Sequence, residues 1–348
     1  MSTPTPSAAA ASPPGGMAAG GGFCRLESFA VSVATGDDAR TFLNGQLSSD
    51  VKTLAVGRWQ PSSYSTPKGR ALATFIVAAQ DAAAGAVFWL VTRRSVAEST
   101  FKRLGMFVMR SKVHWAHQTH VVLGAQGSAA GQQVAALLGS GAPAAGECRT
   151  PVEGSPLAGW VGEAPALVLG LGADSWWLLL PAPVADTVAD AWQPSLAEMS
   201  TLAWDSVEIA AGRAWVEEGT REAFVPQMLN LDLTAGISFK KGCYPGQEIV
   251  ARTQYLGKVK RRMLRFAVAW DAATPLPQPG DAVHAAGDAG QALGQLVLAA
   301  PLDDDHLQLL VVLQMDLAGG AELCLGGADG PALTPLDLPY ALEPAGAS

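Results

Sequence analysis

The apolar positions of this chain alternate in short bursts separated by turn residues, with a few stretches of helical period between them. Residues 29–33 read as a strand. Asp37 or Asp38 then opens a short helix carrying Phe42 and Leu43. Residues 58–64, 70–78 and 86–91 read as strands divided by turn-rich gaps. Ser95 and Glu98 have the spacing of a capping box and predict a helix to about Met106. Strands follow at 112–115 and 120–123, then a helix at 128–138. Residues 139–165 are rich in Gly, Pro and Ala, as in a long connection or a domain margin. Strands at 166–169 and 176–180 precede a helix at 184–192. Ser200 opens a further helix that ends at Gly212, a residue suited to the left-handed position after a helix. Beyond Arg262 only strands are predicted, at 263–270, 294–299, 307–314 and 321–325, which describes a small barrel or jelly roll. No internal repeat is visible.

Composition sharpens this picture at a few places. Residues 1–22 lack charge and are dominated by Ala, Pro, Gly, Ser and Thr, so they predict a flexible tail. That tail has neither the basic start and apolar centre of a secretory signal nor the arginines of a mitochondrial presequence, and a cytoplasmic location is expected. No apolar run is long enough to span a bilayer. The four cysteines are far apart, as in a reducing compartment. The net charge is −8, yet residues 240–265 carry +7 against −15 for the remainder. Such an island suggests an anionic ligand or partner, or a charged strand edge that resists pairing. His114, His117 and His120 lie three apart, a spacing that puts neighbours on opposite sides of a strand, and no metal site is expected there. Nucleotide-binding glycine loops and serine-nucleophile elbows are absent.

The densest chemistry lies in Lys240-Lys241-Gly242-Cys243-Tyr244-Pro245-Gly246-Gln247-Glu248, running on to Arg252. Gly242, Pro245 and Gly246 predict a shaped loop, and the residues from Gln247 a short helix with its acid near the start. Cys243 then precedes a helix N-terminus beside two lysines, conditions that favour a thiolate. A small buried cysteine in a tight turn is the alternative.

The run Lys241-Gly242-Cys243-Tyr244-x-Gly246-Gln247-Glu248 resembles the signature of the YgfZ family, folate-binding relatives of the glycine-cleavage T-protein linked to iron–sulfur cluster assembly and tRNA modification. The resemblance extends to Phe224-Val225-Pro226-Gln227, Asn230-Leu231, Gly236-Ile237-Ser238-Phe239, Ala251-Arg252 and Gly257 through Arg262. It includes Phe42-Leu43-Asn44-Gly45-Gln46-Leu47, Pro67-Lys68-Gly69-Arg70 and Pro335-Leu336-Asp337-Leu338-Pro339-Tyr340. It spans roughly residues 23 to 344 and is loose between about 125 and 200.

The resemblance implies an α+β, T-protein-like multi-lobe fold. Residues 23–262 would form two α+β lobes, and residues 263–348 a C-terminal β-barrel or jelly-roll domain, around a central cavity holding tetrahydrofolate. Cys243 would be the reactive or ligand thiolate. Lys241 would lower its pKa and hold an anion, Tyr244 and Gln247 would shape the loop, and Glu248 would cap the helix or pair with Arg252. Phe29 and Trp204 match aromatic positions associated with folate binding, and the folate tail would use basic residues near Arg70 or Lys241. The partners implied are iron–sulfur client proteins, including tRNA-modifying enzymes. A one-carbon (aminomethyl) transferase is the enzymatic alternative. The T-protein pattern, however, has an Asp-Asp pair where this chain has Ala73-Thr74, and neither residue supplies a carboxylate. A third reading is an RNA- or protein-docking module built on the 240–265 island.

Overall fold

The computed structural model describes residues 21–81, 86–109, 111–117, 120–158, 166–256, 259–288, 290–316 and 322–342. Most of the expected tail, residues 1–20, lies outside them, and Gly22 already belongs to the first strand.

In chain order the elements are β1 (Gly22–Arg25), β2 (Phe29–Thr35), α1 (Ala39–Gln46), β3 (Arg58–Ser65), β4 (Ala71–Gln80), β5 (Val87–Arg93), α2 (Arg94–Gly105), β6 (His114–His117), β7 (Val121–Gln126), α3 (Ser128–Leu138), β8 (Cys148–Arg149), β9 (Leu167–Gly172), β10 (Ser175–Leu180), α4 (Ala182–Trp192), β11 (Ala197–Glu198) and α5 (Thr201–Ala210). After two short 3-10 turns come α6 (Gln247–Leu256), β12 (Arg261–Ala269), β13 (Ala282–Ala285), β14 (Gly294–Pro301), β15 (His306–Gln314), β16 (Leu323–Leu325) and β17 (Leu333–Leu336). The strands form three sheets. One has the order β11-β1-β7-β10-β9-β8, the second β3-β4-β5-β2-β6, and the third β16-β13-β14-β15-β12-β17. The α+β class is as the sequence implies. In the third sheet, Cys324 near one edge bridges to Ala332 near the other, so the sheet curls towards a barrel.

Alternation decides how the sheets stack. Along β10, Trp176, Leu178 and Leu180 join a core built with α3 and α4, through Val134, Val184, Val188 and Trp192. The intervening Trp177 and Leu179 face a larger core shared with the second sheet. β15 repeats the device. Leu307, Leu309, Val311 and Leu313 fill the third sheet's own core, while Leu310 and Val312 join the large one. The third sheet also docks on α5, where the Ser206 hydroxyl donates to the Pro301 carbonyl at 2.6 Å and the Gln308 amide to the Ser206 carbonyl at 3.1 Å.

Two helix starts separate what sequence spacing can and cannot decide. Ser200 caps α5 as expected, its hydroxyl accepting the Ala203 N–H at 3.1 Å. Ser95 does not cap α2: the residue at that boundary is Arg93, which ends β5, and the Ser95 hydroxyl donates instead to the Glu217 carboxylate. A tertiary acceptor outcompetes the local box.

Part of the basic island is internal wiring. Arg262 is buried and forms a two-pronged ion pair with buried Asp232, at 2.6 and 2.8 Å, and also donates to the Gln227 carbonyl at 3.0 Å. Arg265 donates to the Gln308 side chain at 2.7 Å. Arg262 and Arg265 are therefore not free to meet an anionic partner, whereas Lys240, Arg252, Lys260 and Arg261 of the same island are exposed. Removing one member of a buried pair strands the other charge. Asp232→Ala should therefore lower unfolding free energy by roughly 3–5 kcal/mol, and adding Arg262→Met should restore much of the loss. Chemical denaturation of the three variants measures both effects; an Asp232→Ala protein as stable as wild type would contradict the assignment.

Candidate functional site

The cysteine loop is held from several sides before it reaches Cys243. Pro226–Leu229 forms a 3-10 turn whose Gln227 is fully buried; its side-chain amide donates to the Val250 carbonyl in α6 at 2.6 Å. Asn230 adopts the left-handed conformation, φ 58°, and donates to the Met263 carbonyl at 2.8 Å. Tyr340, from the C-terminal segment, donates its hydroxyl to the Gly212 carbonyl at 2.9 Å and lies 3.3 Å from the Asn230 amide. Separate motifs of the sequence thus meet around one segment.

That segment then lies on the loop following α1. The Ser238 N–H donates to the Ser48 carbonyl at 2.9 Å, and the Ser48 hydroxyl to the Gly236 carbonyl at 2.6 Å. The Lys241 ammonium donates to three backbone carbonyls: Asn44, Leu47 at 2.5 Å and Ser49 at 3.0 Å. It also sits 4.9 Å from the centre of the Tyr244 ring. Asn44 and Leu47 are at the C-terminal end of α1, where carbonyls lack helical partners and a cation is favoured. Lys241 therefore docks the loop, and its hydrogen-bonding capacity is engaged there. This corrects its expected role as a holder of an anion. Burial pushes the ammonium down to about 8, against the pull of Asp50, with Lys52 adding to the push.

Beyond Cys243 the chain passes another turn at very close range. Gly246 has φ +81°, and a Cβ there would lie 2.5 Å from the Thr66 carbonyl oxygen and 2.6 Å from the Gly69 Cα. Gly69 has φ +72°, and its Cβ would meet that of Ile249 at 2.9 Å. Both positions exclude a side chain, so the Pro67-Lys68-Gly69-Arg70 turn fits back to back with the start of α6. Gly242 is different: it has no positive φ and open space where a Cβ would be, so the loop geometry does not demand glycine there. Gln247 opens α6, its N–H donating to the Tyr244 carbonyl at 3.2 Å. Glu248 occupies the first turn, where a carboxylate suits the helix dipole, and Arg252 is exposed one turn on. Arg70 donates to the Ala223 carbonyl at 2.7 Å.

Cys243 is exposed, whereas Cys24, Cys148 and Cys324 are buried. Burial pushes the Cys24 thiol up to about 11 and the Cys148 thiol up to about 12. The alternative of a buried, inert Cys243 is thereby set aside, and the chemistry available at the loop is that of an accessible thiol.

Phe29 and Trp204 lie elsewhere, in the aromatic core between the first two sheets. Phe29 packs on Trp177 and Trp215, at 4.8 and 4.9 Å between ring centres, under the Arg93 guanidinium at 4.3 Å. Trp204 is fully buried against Gly124, and its indole N–H donates to Glu208 at 2.9 Å. Neither ring offers a face to a ligand, which corrects the expected stacking role. Residues that the sequence did not single out surround them. Fully buried Glu208 also accepts from Trp215 at 2.9 Å and pairs with Arg213 at 2.8 Å. Burial raises its carboxyl, but Arg213 and the Trp215 hydrogen bond outweigh that and hold it below the usual range. Arg93 pairs with Asp205 at 2.6 Å and Glu217 at 3.1 Å, both of which burial pushes up against the pull of Arg93. The buried Trp177 N–H has no hydrogen-bond partner. Charged side chains that converge from β5, α5 and the following segment leave no mark in local sequence period, so nothing in the chain's pattern marks them out.

No family model matches the chain. Curated relatives match nearly all of it. The tRNA-modifying protein YgfZ of Sodalis glossinidius is 30% identical over 319 residues, which cover 91% of this chain and 92% of that protein. Its namesakes from Cronobacter sakazakii and Photorhabdus laumondii are 29% and 28% identical, over 92% and 91% of this chain and 93% and 92% of theirs. Among solved structures, glycine cleavage system aminomethyltransferase T from Bartonella henselae superposes with a TM-score of 0.66 at 16% identity, covering 93% of this chain and 87% of that one. The chain therefore has the T-protein fold.

Docking through Lys241 has a pH signature. Its value is about 8 in the fold against an ordinary 10.5, so between these limits the unfolded chain binds more protons and stability rises with pH. In urea denaturation, wild type should gain stability relative to Lys241→Met on going from about pH 7 to about pH 10. A difference that stays constant across the window would refute the buried ammonium.

Proposed function

The chain belongs to the YgfZ family, and from this we propose that it serves tRNA modification as a folate-dependent accessory protein for assembly or repair of iron–sulfur clusters in client enzymes. The observation that carries the reading is Cys243, the exposed thiol on a loop fixed by Lys241 on one side and the Gly69–Gly246 contact on the other. One thiol cannot enclose a cluster by itself, so Cys243 acts on clusters in transit, as a nucleophile or as one ligand alongside those of a client. The reducing cytoplasm suits such a group. No helix among the described residues is long and apolar enough to cross a membrane.

Tetrahydrofolate is the proposed cofactor, by virtue of the T-protein fold. Phe29 and Trp204 do not fit it as platforms. A more suitable pair lies beside them: the carboxylates of Asp205 and Glu217, which retain 14% and 20% of their side-chain exposure. Carboxylates complement the amino-pyrimidine edge of a pterin. Folate would supply one-carbon or reducing capacity. The aminomethyl transferase alternative is disfavoured by Ala73 and Thr74. Both are buried, and the Thr74 hydroxyl accepts the Val216 N–H at 3.0 Å.

Two readings test the two halves. In cells lacking the native copy, wild type should restore a cluster-dependent tRNA nucleoside, measured by mass spectrometry, and Cys243→Ala should not; full restoration by Cys243→Ala would eliminate the thiol role. Tetrahydrofolate should quench tryptophan fluorescence saturably in wild type and Cys243→Ala alike, with weaker binding in Glu217→Gln. Absence of binding in wild type would remove folate from the account.

A further inference from the structure

The segment that presents Cys243 runs beside two others. Its Ser238 N–H donates to the Ser48 carbonyl and its Lys241 ammonium to the Ser49 carbonyl. The Ser48 N–H donates in turn to the Ser63 carbonyl near the end of β3, and Gly246 and Ile249 abut Gly69 in the turn that follows that strand. Residues 44–53, 66–70 and 238–252 therefore adjoin. What they show to solvent is mostly cationic: Lys52, Lys68, Arg70, Lys240 and Arg252 are exposed, as are Gly242 and Cys243. None of these five cations joins an ion pair among the described residues, and Arg70 gives one N–H to the Ala223 carbonyl at 2.7 Å.

The acids at the same place are fewer and partly engaged. The Asp50 carboxylate accepts the Lys52 and Thr53 N–H groups at 3.0 and 3.3 Å, and Glu248 lies in the first turn of α6, towards the positive end of its dipole. Glu222, beside Ala223, adds one exposed carboxylate at the margin. Past α6 the cationic face continues in exposed, unpaired Lys260 and Arg261, with exposed Asp316 next to them through the Met315 N–H donated to the Lys260 carbonyl. The large apolar side chains exposed among the described residues, Val56, Met106, Phe107, Met109 and Val152, all lie outside these segments. The face thus lacks the apolar centre of a protein interface. Cations spread over several segments suit an extended chain of phosphates. We propose that this face binds the phosphate backbone of RNA, without reading its bases, and lays the strand across Cys243. The choice of RNA rests on the tRNA-modification reading above, and the phosphate chemistry on these residues alone.

The test uses the full chain and two fluorescent probes, a tRNA transcript and polyglutamate. The transcript should bind saturably by anisotropy, with an affinity that falls linearly with salt on logarithmic axes. Lys68→Gln and Lys240→Gln should each weaken it roughly three- to five-fold and lower the salt slope by about one. Lys102→Gln, exposed on α2 outside these segments, should leave it unchanged, and all three variants should keep the wild-type melting temperature. Bound transcript should also slow iodoacetamide alkylation of Cys243. No binding at about 50 mM salt, an affinity indifferent to salt, or an equal loss in Lys102→Gln would overturn the proposal. So would polyglutamate binding as tightly as the transcript, which would reassign the face to an acidic protein. Cys243→Ala should bind the transcript like wild type. Absence of binding while wild type still restores the modified nucleoside would refute this surface alone, and intact binding with full restoration by Cys243→Ala would refute the thiol role alone.

Discussion

An ammonium group set among three backbone carbonyls determines how the cysteine loop is presented. Helix α1 ends with carbonyls that have no helical partner, those of Asn44 and Leu47, and the chain that follows turns one more acceptor, at Ser49, towards the same point. Lys241 fills that point and carries its own loop with it. The ring of Tyr244 covers the cation from the other side. Burying an ammonium is unfavourable unless such acceptors surround it. The loop position is therefore tied to the presence of the carbonyls, which belong to a segment nearly two hundred residues earlier in the chain.

The second restraint is steric. Gly246 and Gly69 let two backbones approach so closely that no side chain could stand between them. Electrostatic docking at Lys241 and backbone contact at Gly246 bracket Cys243, leaving its thiol accessible while the other cysteines are buried. The buried network of Arg93, Asp205, Glu208, Arg213 and Glu217 plays a comparable part in the core. It joins β5, α5 and the segment after α5, and it orients Trp204, Trp215 and Phe29 between the first two sheets.

Sequence pattern located the long elements because burial imposes a period on them. The helix at 128–138 and the alternation in β10 and β15 were legible for that reason. Two-residue strands such as β8 and β11 carry no period and were not. The cysteine motif was legible as a shaped loop before a helix. The role of Lys241 was not, because its acceptors are backbone atoms that any residue could supply. Ser95 had the right spacing for a cap yet found a better acceptor in Glu217 across the fold. The 240–265 island showed charge but not the partners, Asp232 and Gln308, that engage Arg262 and Arg265. Phe29 and Trp204 had the residue types of a core, and the core is where they lie.

The most direct measurement is alkylation of the native protein with iodoacetamide, with each cysteine followed by mass spectrometry. The account predicts one rapid adduct, at Cys243, with Cys24, Cys148 and Cys324 reacting only once denaturant opens the fold. Protection of Cys243 equal to that of the other three would contradict the claim that this loop presents its thiol for chemistry.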